Sequence, residues 1–348
     1  MVEILPPGPH GVNDGPTAAC RIARMFSKAT KQAARVLLAV ALMWLATRGV
    51  EWGDVFAAIG RGSWRWFALC LLLVVIDRVL MAWRWIVLLR AVEQPPHVAL
   101  HQLIRLFFVS TFVGTFTPGS IGGDAMRVMS LTRLGTSTSA AVGSVAVDRM
   151  LGTVSVLLMA VVGAALAGSL LEVFWLRFAL LFSAIGVAGT LLLLFDSRVL
   201  AGLVRWAGGG RFPTVERWAQ KFLAAIRQYG DHRGVLVGVL VASVAVQALR
   251  SAQAWCLGLA IGLSISGVWY FALIPFVVLA FLLPLSIAGV GAGTASFVPL
   301  FAYAGLTNED AVALSFLFAF LGVVGNLPGG LLMLVAPGSN PPLKTTET

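Results

Sequence analysis

The side chains in this sequence that could do chemistry are mainly arginines and aspartates set among apolar residues. Asp77 and Arg78 fall near the centre of one long apolar run and Arg250 near the middle of another. Asp148 and Arg149 lie about 14 Å along a third at the rise of an α-helix. Each lone charge at that depth costs about 2.5 to 3.5 kcal/mol on insertion scales, so these groups must face a protein interior or a wet cavity. Asp77 and Arg84 are seven apart and share a helix face, while Asp124 and Arg127, three apart, are neighbours on one. With Arg105 and Arg250 included, bases outnumber acids. That imbalance favours an anionic ligand group, a phosphate or a carboxylate, which arginine binds with two parallel hydrogen bonds. The Asp77/Arg78 and Asp148/Arg149 doublets read equally well as interhelical ion pairs that fix packing and never meet a ligand.

The elements that position these residues are organised around Thr117-Pro118-Gly119-Ser120-Ile121-Gly122-Gly123-Asp124-Ala125-Met126-Arg127, where helix breakers adjoin an acid and a base. A fainter copy, Pro284-Leu285-Ser286-Ile287-Ala288-Gly289, keeps the Pro-x-Ser-Ile-x-Gly frame and continues to Gly291-Ala292-Gly293-Thr294 without an acid. Free backbone N–H groups at a broken helix suit an anion, which gives Asp124 and Arg127 a functional reading. Asp124 serves equally as the N-cap of the helix that follows. The glycines at 119, 122 and 123 fit a phosphate cradle, but a tight turn needs them as well.

With 348 residues, 59% of them hydrophobic and 11% charged, and a mean hydropathy of +0.91, the chain is expected to be an all-α polytopic membrane protein. The net charge of +10 sits at the ends of apolar runs and forms no continuous patch, which excludes nucleic acid and points to anionic lipid. Cys20, Cys70 and Cys256 make neither a disulfide framework nor a zinc motif. His97 and His101 have ligand spacing but lack a third ligand, so no metal and no cofactor are expected. A Ser-His-Asp or Cys-His set and a nucleotide loop are likewise missing, and the chain reads as a non-enzyme.

Residues 1–33 read as a basic cytoplasmic tail, 34–336 as the membrane domain and 337–348 as a second cytoplasmic tail. Full spans are expected at about 36–46, 64–89, 139–166, 173–195, 235–263 and 311–335, six in all. Two re-entrant or broken-helix hairpins are expected at 100–133 and 268–306, because each limb is short of the roughly twenty residues a crossing needs. The basic excess in 196–233 puts that loop in the cytoplasm, with Trp218, Phe222 and Ile226 on one helical face. Three crossings separate the hairpins, so they enter from opposite sides of the cell membrane. That makes an inverted repeat of about 64–168 and 235–336, a plan used by transporters.

Asp77-Arg78, Trp83-Arg84-Trp85, Leu88-Leu89-Arg90, the run from Pro118 to Arg127, Ala140-Ala141 with Asp148-Arg149, and Pro284-x-Ser286-Ile287 together resemble the transmembrane region of lysylphosphatidylglycerol synthases. The resemblance spans about 35–335. It implies a flippase-like domain, which in the full-length synthases moves aminoacylated phospholipid outward, and free-standing relatives lack the synthase domain. In the family an acid follows the glycines of the second repeat. Thr294 stands near that place here, which argues against a cationic aminoacyl headgroup.

The reading is therefore a lipid translocase. Its headgroup contacts are expected to be Arg105, Ser120, Gly122, Gly123, Asp124 and Arg127, with Asp77, Arg84, Asp148, Arg149 and Arg250. Pro284, Ser286, Gly289, Gly291 and Thr294 of the second hairpin are expected to supply shape and a gate. Expected partners are a phospholipid, a hopanoid or a polyprenyl-linked glycolipid, and a second copy of the chain or a lipid-synthesising enzyme. Rival readings are a carrier for a small anionic solute and a scaffold acting through residues 198–233.

Overall fold

The computed structural model describes residues 53, 60, 62–93, 98–117, 120–166, 178, 181–182, 184–189, 228–282, 286–287 and 290–335. Four helices among them are long and apolar enough to cross a membrane: α1 (Trp64–Val92), α4 (Thr138–Leu166), α5 (Arg233–Ala260) and α9 (Asn308–Val335). At 28 or 29 residues each is roughly 42–44 Å long, more than the hydrocarbon core of about 30 Å. The chain is a multi-pass membrane protein. The expected spans at 36–46 and, for the most part, 173–195 lie outside the described residues, as do both tails and most of the loop 196–233.

Helix α1 shows why such a segment folds at depth. Cys70, Val74, Asp77, Arg84 and Leu88 recur at helical spacing and are buried, while Leu72, Val75, Ile76 and Val79 are exposed on the opposite side. An apolar outer face suits lipid, and the charges at mid-helix, Asp77 and Arg84, are buried on the inner one, while Arg65 and Arg90 are exposed near the helix ends.

Between α1 and α4 stand two shorter helices, α2 (Leu100–Thr115) and α3 (Ile121–Arg133), of 16 and 13 residues. Each is shorter than a crossing, and they pack on each other as a hairpin. Gly123 permits the contact, since a Cβ there would run into the Ser110 carbonyl and come within 2.9 Å of Gly114 Cα. Pro118 and Gly119 fall outside the described residues, but the groups on either side explain the break. The Thr117 hydroxyl donates to Gly114 O at 3.0 Å and accepts from Gly122 N at 3.1 Å. One side chain thus serves an end group of both helices. Ser120 then sits at φ 60°, ψ 15°, the only positive φ outside glycine among the described residues.

The capping expected of Asp124 is corrected here. Helix α3 begins at Ile121, so Asp124 lies inside its first turn, and its carboxylate is engaged elsewhere.

The second hairpin is built differently. Helix α6 (Gly267–Leu282), with Pro275 inside it, is followed by an antiparallel pair of two-residue strands, β1 (Ser286–Ile287) and β2 (Val290–Gly291). The return limb is split into α7 (Ala292–Ala295), α8 (Phe297–Phe301) and a 3-10 turn at Ala302–Ala304. The helix packing is reciprocal: α1 lies along α5, α2 packs on α9, and α6 packs on α4. In both cross-contacts a glycine admits a backbone carbonyl. Gly329 of α9 meets Phe108 O of α2, and Gly163 of α4 meets Phe271 O of α6.

Candidate functional site

Seven of these helices, α1 to α6 and α9, enclose a cavity of about 300 Å³. Five arginines and three aspartates line it, an excess of two positive charges.

Its buried floor is a closed network. Arg84 donates from Nε to Asp148 Oδ1 at 2.7 Å and from Nη1 to Ser243 Oγ at 2.8 Å, which joins α1, α4 and α5. At the most accessible part, Arg149 of α4 grips Asp124 of α3 with two hydrogen bonds, Nε to Oδ2 at 2.8 Å and Nη2 to Oδ1 at 2.9 Å. The two side chains there are 45% and 22% exposed, against 5% and 8% for Arg84 and Asp148.

Asp77 is shared. Arg78 Nη1 stands 3.6 Å from its Oδ2 and Arg250 Nε 3.7 Å from its Oδ1, both beyond good hydrogen-bond length. Arg78 Nη1 also meets Met81 Sδ at 3.5 Å, and Arg250 donates from Nη2 to Met81 Sδ at 3.4 Å and from Nη1 to Gln247 Oε1 at 3.5 Å.

Arg127 has a different setting. Its guanidinium carbon lies 4.8 Å from the Trp85 ring centroid and 4.9 Å from that of Phe107, in the notch between two tilted rings. Nε donates to Ser110 Oγ at 3.2 Å and Nη2 to Thr111 Oγ1 at 3.4 Å. Among the described residues no carboxylate lies within ion-pair distance of it. A desolvated cation–π contact of this kind is worth about 2 kcal/mol. The rings and hydroxyls hold the guanidinium in place and leave its charge unneutralised.

Most of the expected contacts converge. Asp77, Arg84, Ser120, Gly123, Asp124, Arg127, Asp148, Arg149 and Arg250 all line the cavity. Asp148 and Arg149 both make interhelical ion pairs, Asp148 with Arg84 of α1 and Arg149 with Asp124 of α3. Arg105 does not line the cavity. The lining stripe of α2 is Phe107, Ser110, Thr111, Gly114 and Thr115, and Arg105 stands two residues before Phe107, roughly 200° around the helix. Gly122 backs onto Thr117 instead of the cavity.

Of the second-hairpin residues, Pro284 and Gly289 lie outside the described residues, and Ser286 pairs with Gly291 in the strand ladder. Thr294 is buried and bonded to Gly291, its hydroxyl donating to the carbonyl at 3.1 Å and accepting from the N–H at 3.2 Å. Neither Gly291 nor Thr294 lines the cavity. The second hairpin and α9 contribute an apolar wall of Val278, Phe281, Phe318 and Val323, with Asn326 bonded to Thr115 at 2.7 Å. Ser110, Thr111, Trp85, Met81 and Ser243 were not foreseen. Their signal is a polar or soft side chain one turn or less from a charged residue's helical phase, which is too common in apolar helices to single them out.

The family model for the lysylphosphatidylglycerol synthase TM region matches residues 32–329. The chain belongs to this family. Within the lysylphosphatidylglycerol synthase TM-region family, the match takes in every residue that lines the cavity. A relative described as a UPF0104 membrane protein, from Methanothermobacter thermautotrophicus, is 26% identical over 289 residues, covering 76% of this chain and 81% of its own length.

Proposed function

We propose that this protein is a lipid translocase of the cell membrane, moving a lipid with an anionic or polar headgroup between leaflets without a covalent step. The observation that carries this reading is the arginine-rich cavity inside a bundle whose outer faces are apolar. A headgroup fits beside Arg127 and Arg250 while its chains remain in the bilayer. Neutralised ion pairs at the floor and mouth stay in place without a ligand, and Arg127 supplies attraction for an anion.

The reciprocal packing supports an inverted repeat, and the basic residues before the first apolar run support cytoplasmic termini. The offset in number between Pro118 and Pro284 also separates Arg84 from Arg250, Asp77 from Ser243, and Gly163 from Gly329. Accordingly, Arg84 reaching Ser243 across the α1–α5 crossing has a counterpart in Arg250 reaching Asp77. Two halves related in this way can exchange conformations, which opens one cavity alternately to either leaflet.

Reconstitution into vesicles, with leaflet-selective measurement of a labelled anionic lipid, tests the proposal. Acceleration over protein-free vesicles is expected. Uptake of a small anionic solute that is insensitive to lipid composition, with no lipid movement, contradicts it.

A further inference from the structure

The charges of the cavity separate into groups that are already neutral and groups that are not. Arg84 and Asp148 neutralise each other, and Ser243 takes a further N–H of Arg84. Arg149 and Asp124 do the same through two hydrogen bonds. Two places remain where positive charge exceeds negative.

The first is Arg127, which is buried and held only by hydroxyls and ring faces. The second is the trio in which Asp77 alone faces both Arg78 and Arg250 at 3.6 and 3.7 Å. Asp77 Oδ1 and Arg78 Nε are buried without a hydrogen bond, and the spare N–H groups make only long contacts, to the thioether of Met81, a weak acceptor, at 3.4 and 3.5 Å and, from Arg250 Nη1, to Gln247 Oε1 at 3.5 Å. Under-bonded guanidiniums inside an apolar bundle are costly unless a counter-charge arrives from elsewhere.

The shortage has a positional origin. At the offset that relates the two halves, Asp148 corresponds to Leu314, a fully buried residue of the apolar core. Arg84 therefore has its own carboxylate on the neighbouring helix, and its counterpart Arg250 does not.

From this we infer that the ligand group carries two negative charges, as a phosphate monoester or a diphosphate does, and that it neutralises Arg127 on one side and the Arg78–Arg250 pair on the other. The inference rests on the headgroup-carrier reading of the same cavity and narrows it. An ordinary phosphodiester headgroup brings one negative charge and leaves one of the two places unanswered. A monoester phosphate, with a second ionisation near pH 6, brings between about 1.5 and 2 at neutral pH and has three free oxygens for guanidinium N–H groups.

The test uses the full chain in phosphatidylcholine nanodiscs with equal amounts of phosphatidic acid and phosphatidylmethanol of identical acyl chains, lipids that differ by one methyl on the phosphate. Bound lipid is quantified by mass spectrometry after exchange. Retention of phosphatidic acid about tenfold over phosphatidylmethanol is expected. The ratio should fall toward one in Arg250→Gln and, separately, in Arg127→Gln. The wild-type ratio stands without either variant if one fails to fold.

A wild-type ratio near one, with both lipids retained, overturns the dianion inference and leaves the carrier reading standing. Retention of neither lipid overturns both. Added inorganic diphosphate separates the sources. If it displaces phosphatidic acid, the site takes the bare group. If phosphatidic acid stays bound, the acyl chains are part of recognition. Either result supports the dianionic class.

Discussion

Arg84 and Asp148 meet at 2.7 Å with both side chains less than a tenth exposed, and the pair ties α1 to α4 at the floor of the cavity. Removing one partner strands the other charge in a low-dielectric interior, which costs about 3 to 5 kcal/mol. Asp148→Asn should lower thermal stability in detergent by an amount of that order. The double replacement Arg84→Met with Asp148→Leu should recover most of the loss, giving a large coupling in a double-mutant cycle. Additive losses would mean that the pair does not act as a unit.

Asp124 and Arg149 make an equally well-shaped pair where solvent reaches it, with Arg149 almost half exposed. Screening reduces such a contact to below about 1 kcal/mol. Arg149→Ala should therefore leave the unfolding temperature almost unchanged while altering lipid movement, because the pair holds the broken hairpin to α4 at the cavity mouth. The charge reversal Asp124→Arg with Arg149→Asp should restore movement toward wild type. A large stability loss in Arg149→Ala would make the pair a packing element.

Ser120 occupies the left-handed region, which costs a residue with a Cβ about 1–2 kcal/mol. Ser120→Gly removes that strain, offset by about 0.4–1 kcal/mol from the freer unfolded chain, and should be close to neutral. Ser120→Val adds a branched side chain in the same conformation and should lose at least about 1 kcal/mol by thermal or denaturant unfolding. Equal behaviour of the two variants would contradict the backbone geometry at the break.

Gly163 and Gly329 admit equivalent carbonyls, Phe271 O and Phe108 O, at reciprocal contacts between the halves. Replacing either with Val forces two helices apart and should cost about 1–3 kcal/mol or more. If the halves are related as the packing suggests, Gly163→Val and Gly329→Val should show losses of similar size. A loss confined to one of them would count against that relationship.

The sequence already pointed to much of the site. Apolar runs marked α1, α4, α5 and α9, and the Pro-Gly stretch before Asp124 marked the first hairpin. The cost of burying charge directed Asp77, Arg84, Asp148 and Arg250 inward. Pairing was not legible, because spacing along one helix reports only that helix. Asp77 and Arg84 do share a face of α1, yet Arg84 finds its carboxylate on α4, in Asp148, and Asp77 is shared between Arg78 of its own helix and Arg250 of α5. Arg105 was misassigned for a related reason: its charge was visible, while the rotation of α2 was fixed by Gly123 packing on Gly114 and Ser110. Thr117 was hidden too, since one hydroxyl serving two helix ends requires knowing how closely the ends approach.

In the proposed translocation, Arg127, held by Trp85 and Phe107 with no carboxylate at ion-pair distance among the described residues, attracts the lipid headgroup. The most direct test of this role is the rate at which labelled phosphatidic acid changes leaflet in vesicles containing the wild-type chain or Arg127→Gln at matched, folded protein levels. The wild type should exceed protein-free vesicles, and the variant should fall by at least about tenfold toward that baseline. Equal rates for wild type and Arg127→Gln, or a wild-type rate no faster than bare lipid, would contradict it.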